Sequence, residues 1–247
     1  MKLIFLGTRG YIAEKSRLHR RHASVLVGYR RSRLLIDHGA DWTGRGAKIT
    51  PRPRALLITH AHPDHAGGLT RTVPWPVWAT TDTWRALAAE IGAAPQQRHE
   101  FQVGNPFTIG EIRATPFAVA HSTRAPAVGF RLEAGRAAVC YVPDVAYIPE
   151  RAGALQGTAL YVGDGASLER SLVRRVKGRL IGHAPIRTQL TWCAKEGVPR
   201  AIFTHLGEDI VGGDERVLKA RLRRMARERG VDADLAKDGL EMVIRSG

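Results

Sequence analysis

Four potential metal ligands lie within six residues in the segment LLITHAHPDHAGG, residues 56–68. They are His60, His62, Asp64 and His65, and they directly follow an apolar run that is typical of a strand. Because His60 and His62 are two residues apart, their side chains point the same way from an extended backbone and can reach one cation. Burying such a cluster without a cation would be unfavourable, so the segment predicts a metal site. Imidazole and carboxylate ligands suit zinc, manganese and iron ions.

The elements around this cluster are predicted from apolar periodicity and from the Gly and Pro residues that interrupt it. Strands are predicted at 2–6, 24–27, 33–37, 55–59, 76–79, 111–119, 127–132, 137–142, 159–162, 201–204 and 241–244. Helices are predicted at 83–91, at 185–196, and from a cap at Asp214 to Gly230. Many strands with helices between them favour two packed sheets with helices outside. No linker divides the chain, so we expect one domain over residues 1–247.

The spacing of the first cluster resembles the HxHxDH signature of the metallo-β-lactamase superfamily. The other ligands of that family are a distant His, a bridging Asp and a late His. This sequence has a residue for each, namely His121 in VAHST, Asp144 in CYVPD and His205 in AIFTHLG. Each follows a predicted strand, and loops that leave a sheet often carry binding residues. Taken singly, each of the three could instead be a turn or helix-capping residue.

The resemblance implies an α/β fold, the four-layer αββα sandwich, with two divalent metal ions, zinc or manganese, at one edge. In the family pattern, one ion is held by His60, His62 and His121. The other ion is held by Asp64, His65 and His205. Asp144 bridges the two ions. Asp64 is also a candidate catalytic residue. The two ions together would lower the pKa of a bridging water, and the resulting hydroxide would attack the substrate.

One further histidine narrows the expected activity. The phosphodiesterase branch of the superfamily carries an extra His that is not a ligand and approaches the scissile phosphate. His183 in IGHAPIRTQL stands near the corresponding point, 22 residues before His205. It would donate a proton or offset charge on the phosphate. The alternative is that His183 caps the helix predicted to begin at Pro185. We therefore expect a phosphodiesterase acting on a small anionic phosphodiester, for example a cyclic phosphate or a nucleotide-like compound.

Two other activities within the same superfamily remain open. Ribonuclease Z resembles this chain in its ligands, but its bacterial form has a tRNA-gripping insertion between the positions that match His121 and Asp144. Only 22 residues separate the two here, so nucleic acid is not the favoured substrate. The phosphoribosyl cyclic phosphate phosphodiesterases match better, although the early cysteines that some of them use for a second metal site are missing. Carbonyl-ester and lactone hydrolases are the other alternative, and they do not need His183.

Several residues near these motifs have two interpretations. Asp37 and Asp164 end predicted strands and could orient the imidazoles, or could be purely structural. Arg124 could contact phosphate, or could be an exposed loop residue. His38 is expected to be structural. The remaining histidines are expected at the surface: His19, His22 and His99.

Composition limits the cellular setting and the partners. The formal net charge of +15, with 31 Arg and 7 Lys, is compatible with an anionic substrate but also with a coding bias towards Arg. Two cysteines, Cys140 and Cys193, are too few for a disulfide framework, so we expect a cytoplasmic protein. No apolar stretch approaches about 18 residues, and no membrane partner is expected. A homodimer is left open.

Overall fold

Two seven-stranded sheets form the centre of the computed structural model, which describes residues 1–90 and 97–245. The first sheet contains β1 Lys2–Gly7, β2 Ser24–Tyr29, β3 Ser32–Ile36, β4 Ala55–Leu57, β5 Val77–Ala79, β6 Arg98–Glu100 and β16 Glu241–Val243. The second sheet contains β7 Phe107–Ile109, β8 Ile112–Val119, β9 Ala127–Ala134, β10 Ala137–Tyr141, β11 Leu160–Asp164, β14 Arg200–Thr204 and β15 Asp232–Leu235. A separate two-stranded hairpin is formed by β12 Arg174–Val176 and β13 Arg179–Ile181.

Each large sheet changes from antiparallel to parallel pairing along its width. In the first sheet, β16, β1, β2 and β3 are antiparallel neighbours, and β4, β5 and β6 continue in parallel from β3. In the second sheet, β7 to β10 are antiparallel, and β11, β14 and β15 continue in parallel from β10. Parallel neighbours need crossover connections, and these connections carry the helices and the loops of the candidate site.

In the part of the chain that the structure describes, six α-helices accompany the sheets. They are α1 Pro63–Ala66, α2 Thr81–Glu90, α3 Arg151–Leu155, α4 Ile186–Lys195, α5 Glu208–Val211 and α6 Glu215–Arg227. The predicted cap of α6 is confirmed, because the Asp214 side chain accepts hydrogen bonds from the backbone N–H groups of Arg216 and Val217. Among the described residues, none of the helices has the length and apolar character needed to span a bilayer.

Three apolar clusters show how the layers are stacked. Between the two sheets, Phe5 of β1 and Phe130 of β9 belong to one buried cluster. On the outside of the first sheet, Trp84 of α2 packs in a second cluster. On the outside of the second sheet, Leu190 of α4 and Leu222 of α6 belong to a third. The order is helix, sheet, sheet, helix, so the predicted αββα sandwich is confirmed.

The predicted elements are largely present, and the missed ones share a cause. Each of the eleven predicted strands is found with ends shifted by at most two residues. The start of the first predicted helix moves to Thr81, and its predicted last residue lies outside the described residues. The missed strands include β6 and both hairpin strands, which have three residues each and begin with Arg; β6 and β12 are exposed, and Leu180 and Ile181 of β13 are half-buried. Such segments have no apolar alternation from which a strand can be predicted.

Candidate metal centre and its cleft

The loops that follow four strands meet at one edge of the sandwich. His60 follows β4, His121 follows β8, Asp144 follows β10 and His205 follows β14. Together with the residues around α1 they form two adjoining groups of potential ligands, in each of which the ligand atoms lie within 4.8 Å of one another. The structure therefore brings together all seven ligands that the family resemblance implies.

The first group consists of His60, His62, His121 and Asp144. The Nδ1 atom of His62 lies 3.0 Å from His60 Nε2 and 3.3 Å from His121 Nε2. Asp144 Oδ2 lies 3.3 Å from His60 Nε2 and 3.1 Å from His121 Nε2. Three imidazole nitrogens and one carboxylate oxygen thus converge, as the two-residue spacing of the first two histidines predicts.

The second group consists of Asp64, His65, His205 and again Asp144. Asp64 Oδ2 lies 2.9 Å from His205 Nε2 and 3.2 Å from His65 Nε2. Asp144 contacts this group through both oxygens, with Oδ2 3.3 Å from His65 Nε2 and Oδ1 2.9 Å from His205 Nδ1. Asp144 is the residue that the two groups share, which is the position that a bridging carboxylate requires.

The chemistry of these groups fits divalent cations. Within the described chain, three of their buried atoms have no hydrogen-bond partner, namely His65 Nε2, Asp144 Oδ1 and His205 Nδ1. The contact between the last two atoms has an ion-pair distance without the angles of a hydrogen bond. Buried polar atoms are nearly always satisfied, so unpaired atoms that face one another indicate a missing common partner. Imidazole and carboxylate ligands suit zinc or manganese in that role.

The two groups differ in their electrostatics. Burial, with the neighbouring His65, lowers the pKa of His60, and burial lowers the pKa of His62 to about 4. The imidazoles of the first group are therefore neutral, the form that binds metal. In the second group burial also opposes protonation, but Asp64 and Asp144 override it and raise the pKa of His65. Asp144 likewise raises the pKa of His205 against the effect of burial.

Asp37 orients one histidine of the second group. Its Oδ2 atom lies 2.8 Å from His65 Nδ1, and its Oδ1 atom accepts a 2.8 Å hydrogen bond from the backbone N–H of Thr59. The side-chain hydroxyl of Thr59 also donates to Asp37. Fixing Nδ1 in this way turns His65 Nε2 towards the ligand group. Of the two interpretations that the sequence allows for Asp37, these contacts favour the one in which it orients an imidazole.

Two residues of the site have a left-handed backbone. His205 has a φ of 54° and Asp37 has a φ of 62°. Non-glycine residues in this region are strained by about 1–3 kcal/mol and persist where the surrounding structure holds them. For His205 the next residue is fixed on both sides, since the Leu206 N–H donates to Thr8 and the Leu206 carbonyl accepts from Gly10. With this backbone conformation, the imidazole of His205 contacts both carboxylates of its group.

His183 belongs to neither of these two groups, but with Asp144, Asp164 and His205 it forms a third set whose potential ligand atoms also lie within 4.8 Å of one another. Its Nδ1 atom is 2.8 Å from Asp164 Oδ2, and its ring lies 4.9 Å from the ring of His121 and 5.6 Å from that of His205. Burial disfavours its protonation, yet Asp164 overrides burial and raises the pKa of His183. The alternative role as a helix cap is wrong, because Pro185 occupies the N-cap of α4 and no side chain caps that helix.

A cleft of about 710 Å³ gives access to the centre from solvent. We call it the central cleft, and its lining includes His62, His121, His183, Arg124 and Arg174. Arg124 is exposed, so it stands on the wall where the sequence placed a candidate phosphate contact. Arg174 begins the β12–β13 hairpin and was not singled out from the sequence, although the RRVKGR run is its signal.

The expectation that His19 and His22 lie at the surface is wrong. They are only 6% and 5% exposed, because partners that are distant in sequence cover them. His19 Nδ1 lies 2.8 Å from the Thr8 hydroxyl, and His22 Nε2 lies 3.1 Å from a guanidinium nitrogen of Arg9. That guanidinium also forms a buried ion pair with Asp41, a network that the sequence did not reveal.

The other two histidines follow the sequence expectations. His99 is exposed, as expected, and its ring stacks on Trp78 at 4.6 Å. His38 is buried against Trp42 and Trp75 at ring distances of 6.2 and 5.9 Å. Burial lowers the pKa of His38 to about 4, so a neutral, structural imidazole is the consistent interpretation.

Curated relatives match parts of this chain. The exodeoxyribonuclease YycJ of Bacillus anthracis is 29% identical over 149 residues, which is 56% of this chain and 56% of the relative. The exodeoxyribonuclease WalJ of Streptococcus pneumoniae is 30% identical over 133 residues, or 49% of each chain. The chain therefore spans about half the length of the curated relatives that it matches.

A solved structure extends the likeness to the whole fold. A diphosphatase of the PhnP family has a TM-score of 0.73 and 20% identity, covering 99% of this chain and 98% of its own. This likeness shows the fold. Residues 32–206, well over half of the sequence, match the family model described as the beta-lactamase superfamily domain, and the chain belongs to that superfamily.

Proposed function

We propose that this protein is a metal-dependent phosphodiesterase that uses two divalent ions, with His183 as its general acid. The observation that carries this proposal is the His183–Asp164 pair at 2.8 Å, placed at the wall of the central cleft beside both ligand groups. Hydrolysis of an uncharged carbonyl compound at such a centre needs no extra imidazole. Cleavage of a phosphodiester with a poor leaving group gains from a proton donor at that place.

Each residue of the centre has a separate task in this proposal. When bound, the two ions supply Lewis acidity and an activated water. Asp164 accepts from Nδ1 of His183, which fixes the tautomer and leaves Nε2 as the free nitrogen of the ring. Asp164 is itself held by the backbone N–H groups of Val145 and Ala166, both at 2.9 Å. His183 can then offset charge on the phosphoryl oxygens and protonate the departing oxygen.

The substrate class has two candidates. The sequence favours a small anionic phosphodiester, because His183 stands where the phosphodiesterase branch has its extra histidine. DNA is the second candidate, because both curated relatives are named exodeoxyribonucleases and the central cleft is wide and bordered by Arg124 and Arg174. Processing of tRNA is disfavoured, because β9 and β10 occupy most of the interval between His121 and Asp144.

A panel of substrates tests the proposal. Protein loaded with zinc or with manganese is assayed on bis(p-nitrophenyl) phosphate, a cyclic nucleotide, a short oligodeoxynucleotide, a lactone and a β-lactam. We expect turnover of at least one phosphodiester to exceed that of the carbonyl compounds. Faster turnover of the lactone or the β-lactam than of every phosphodiester would contradict the proposal.

A further inference from the structure

The β12–β13 hairpin lies beside the candidate site, and backbone hydrogen bonds join its base to residues of that site. At its base, the Gly182 N–H donates to the His121 carbonyl at 2.8 Å, and the Leu172 N–H donates to the His183 carbonyl at 3.1 Å. At its tip, Lys177 and Gly178 form a two-residue turn in which both residues have a positive φ, 47° and 79°. Such turns match the twist of a hairpin and hold its strands in register. The hairpin is thus a defined arm beside the catalytic groups.

Four cations of this arm have no acidic partner. Arg174, Arg175, Lys177 and Arg179 are all exposed, and within the described residues none of them forms an ion pair. Arg170, just before the arm, does pair with Asp209. Four unpaired positive charges on eight residues attract an anion that extends over several charges, and a single small phosphate could not contact them all.

The arm divides two clefts that share residues near His121. Arg174, Val176 and Ile181 line the central cleft. Arg175, Arg179 and Leu180 line a second cleft of about 450 Å³, which we call the hairpin cleft. His121, Ser122 and Thr123 line both clefts, so the hairpin cleft continues from the metal centre. A long substrate could leave the centre along this path.

An aromatic side chain stands in the hairpin cleft among these charges. Tyr147 lines the cleft and is 41% exposed, so its ring is accessible from solvent. Its backbone is fixed, because the Ala120 N–H donates to the Tyr147 carbonyl at 2.9 Å and the two residues form a β-bridge. Aromatic rings set among arginines in a groove are the arrangement that binds unpaired bases together with the backbone phosphates.

We propose that the hairpin cleft binds single-stranded DNA that leads to the metal centre, with phosphates on Arg175 and Arg179 and a base stacked on Tyr147. This proposal rests on the proposed phosphodiesterase function and assigns its substrate class. A single strand is favoured over a duplex because the ring of Tyr147 can stack on any unpaired base, whereas a duplex has a free base face only at its ends. Of the two candidate substrates of the proposed function, DNA is the polymer, and a polymer is needed to extend from the centre along the hairpin cleft.

The test measures binding and turnover separately. Binding of a fluorescent phosphorothioate DNA strand of about 12 nucleotides, which resists cleavage, is followed by anisotropy with the metal-loaded protein as the salt concentration is varied. The variants are R175A/R179A and Y147A. The control is R224A/R227A, which removes the same charge from exposed positions on α6 that line neither cleft. Hydrolysis of bis(p-nitrophenyl) phosphate is measured on every metal-loaded variant.

The two hairpin-cleft variants should differ in kind. R175A/R179A should bind more weakly and lower the salt slope by about 1.4, since each phosphate contact with a single strand contributes about 0.7. Y147A should weaken binding about fivefold or more at an unchanged salt slope, because stacking releases no counterions. The control should lie within about twofold of the parent protein, and turnover of the small diester should persist in all variants.

Three results would overturn the assignment. They are an unchanged salt slope in R175A/R179A, equal or tighter binding of a blunt duplex, and preferred binding of RNA with the same sequence. Folding of each variant is checked by its melting temperature, and the comparison of single strand with duplex uses only the parent protein. DNA binding without hydrolysis of any phosphodiester would instead remove the proposed function and leave the binding surface standing.

Discussion

The two halves of the candidate metal centre are built on different principles. The first half has three imidazoles whose pKa values burial lowers, and its His121 is held by a backbone carbonyl, with Nδ1 3.1 Å from the oxygen of Gly182. The second half has histidines whose pKa values the carboxylates raise. A metal ion thus meets ready, neutral ligands in the first half, but must displace protons in the second. Ligands of the same type in the two halves would therefore differ in how far their affinity for a metal ion depends on pH and on supporting residues.

The largest effect should come from the residue that joins the two halves. Asp144→Ala removes the carboxylate that both groups share, so it should lose metal and reduce hydrolysis to near the background rate. Asp144→Asn keeps the shape of the side chain but not its charge. Its metal content and its turnover should therefore lie between those of Asp144→Ala and those of the parent protein. Elemental analysis and turnover are measured together. A variant that retains about two tightly held ions per chain would contradict the bridging role.

A smaller loss is expected beside the centre, at His183. His183→Ala should retain metal and fold but lose on the order of 10²–10⁴ in kcat for a diester with a poor leaving group. The loss should shrink for a p-nitrophenyl ester, because that leaving group scarcely needs a proton. His99→Ala, an exposed histidine on β6, is the matched control and should behave like the parent. Nearly normal turnover of the poor substrate would remove His183 from the mechanism.

The support of the second half can be removed alone. Asp37→Ala leaves Nδ1 of His65 without its carboxylate, so affinity for one ion should fall about 10–100-fold. Asp37 reaches the first half through the Thr59 hydroxyl, which lies 3.0 Å from His60 Nδ1, so the ion held there should lose much less affinity. Titration with a competing chelator resolves the two affinities. An equal loss from both sites would contradict this, because it would show that the two halves do not bind their ions independently.

The smallest expected effect is a difference in the pH at which the two halves lose their metal ions. A raised pKa means that His65 and His205 take up protons at a higher pH than an ordinary histidine, and the bound protons compete with metal. As the pH falls from about 8 to about 6, the ion of the second half should therefore dissociate before the ion of the first half. Metal content after dialysis at each pH measures this order. Simultaneous loss of both ions over that range would contradict the electrostatic difference.

The sequence was most informative where chemistry and local spacing coincide. The cluster from His60 to His65 is contained in one loop, and the strand ends before His121, Asp144 and His205 could be predicted from apolar runs. The structure places these residues in two adjoining groups, and their role as metal ligands stays a prediction. The αββα sandwich could be predicted because every layer depends on buried, periodic segments.

The sequence was least informative where contacts join distant segments or where charge replaces apolar pattern. His19 and His22 were expected at the surface because Arg residues flank them, but Thr8, Arg9 and Asp41 bury them from other parts of the chain. The β12–β13 arm was missed for the opposite reason. Its strands have three residues each, begin with Arg and are largely exposed, so they are too short for an alternation of apolar and polar residues to mark them.

The most direct test of the account is the position of the metal ions in crystals of the metal-saturated protein. Anomalous diffraction should show two peaks about 3.5–4 Å apart, with Asp144 contacting both. The first should be surrounded by His60, His62 and His121, and the second by Asp64, His65 and His205. A single peak at saturation, or two peaks of which Asp144 contacts only one, would contradict the two-ion centre.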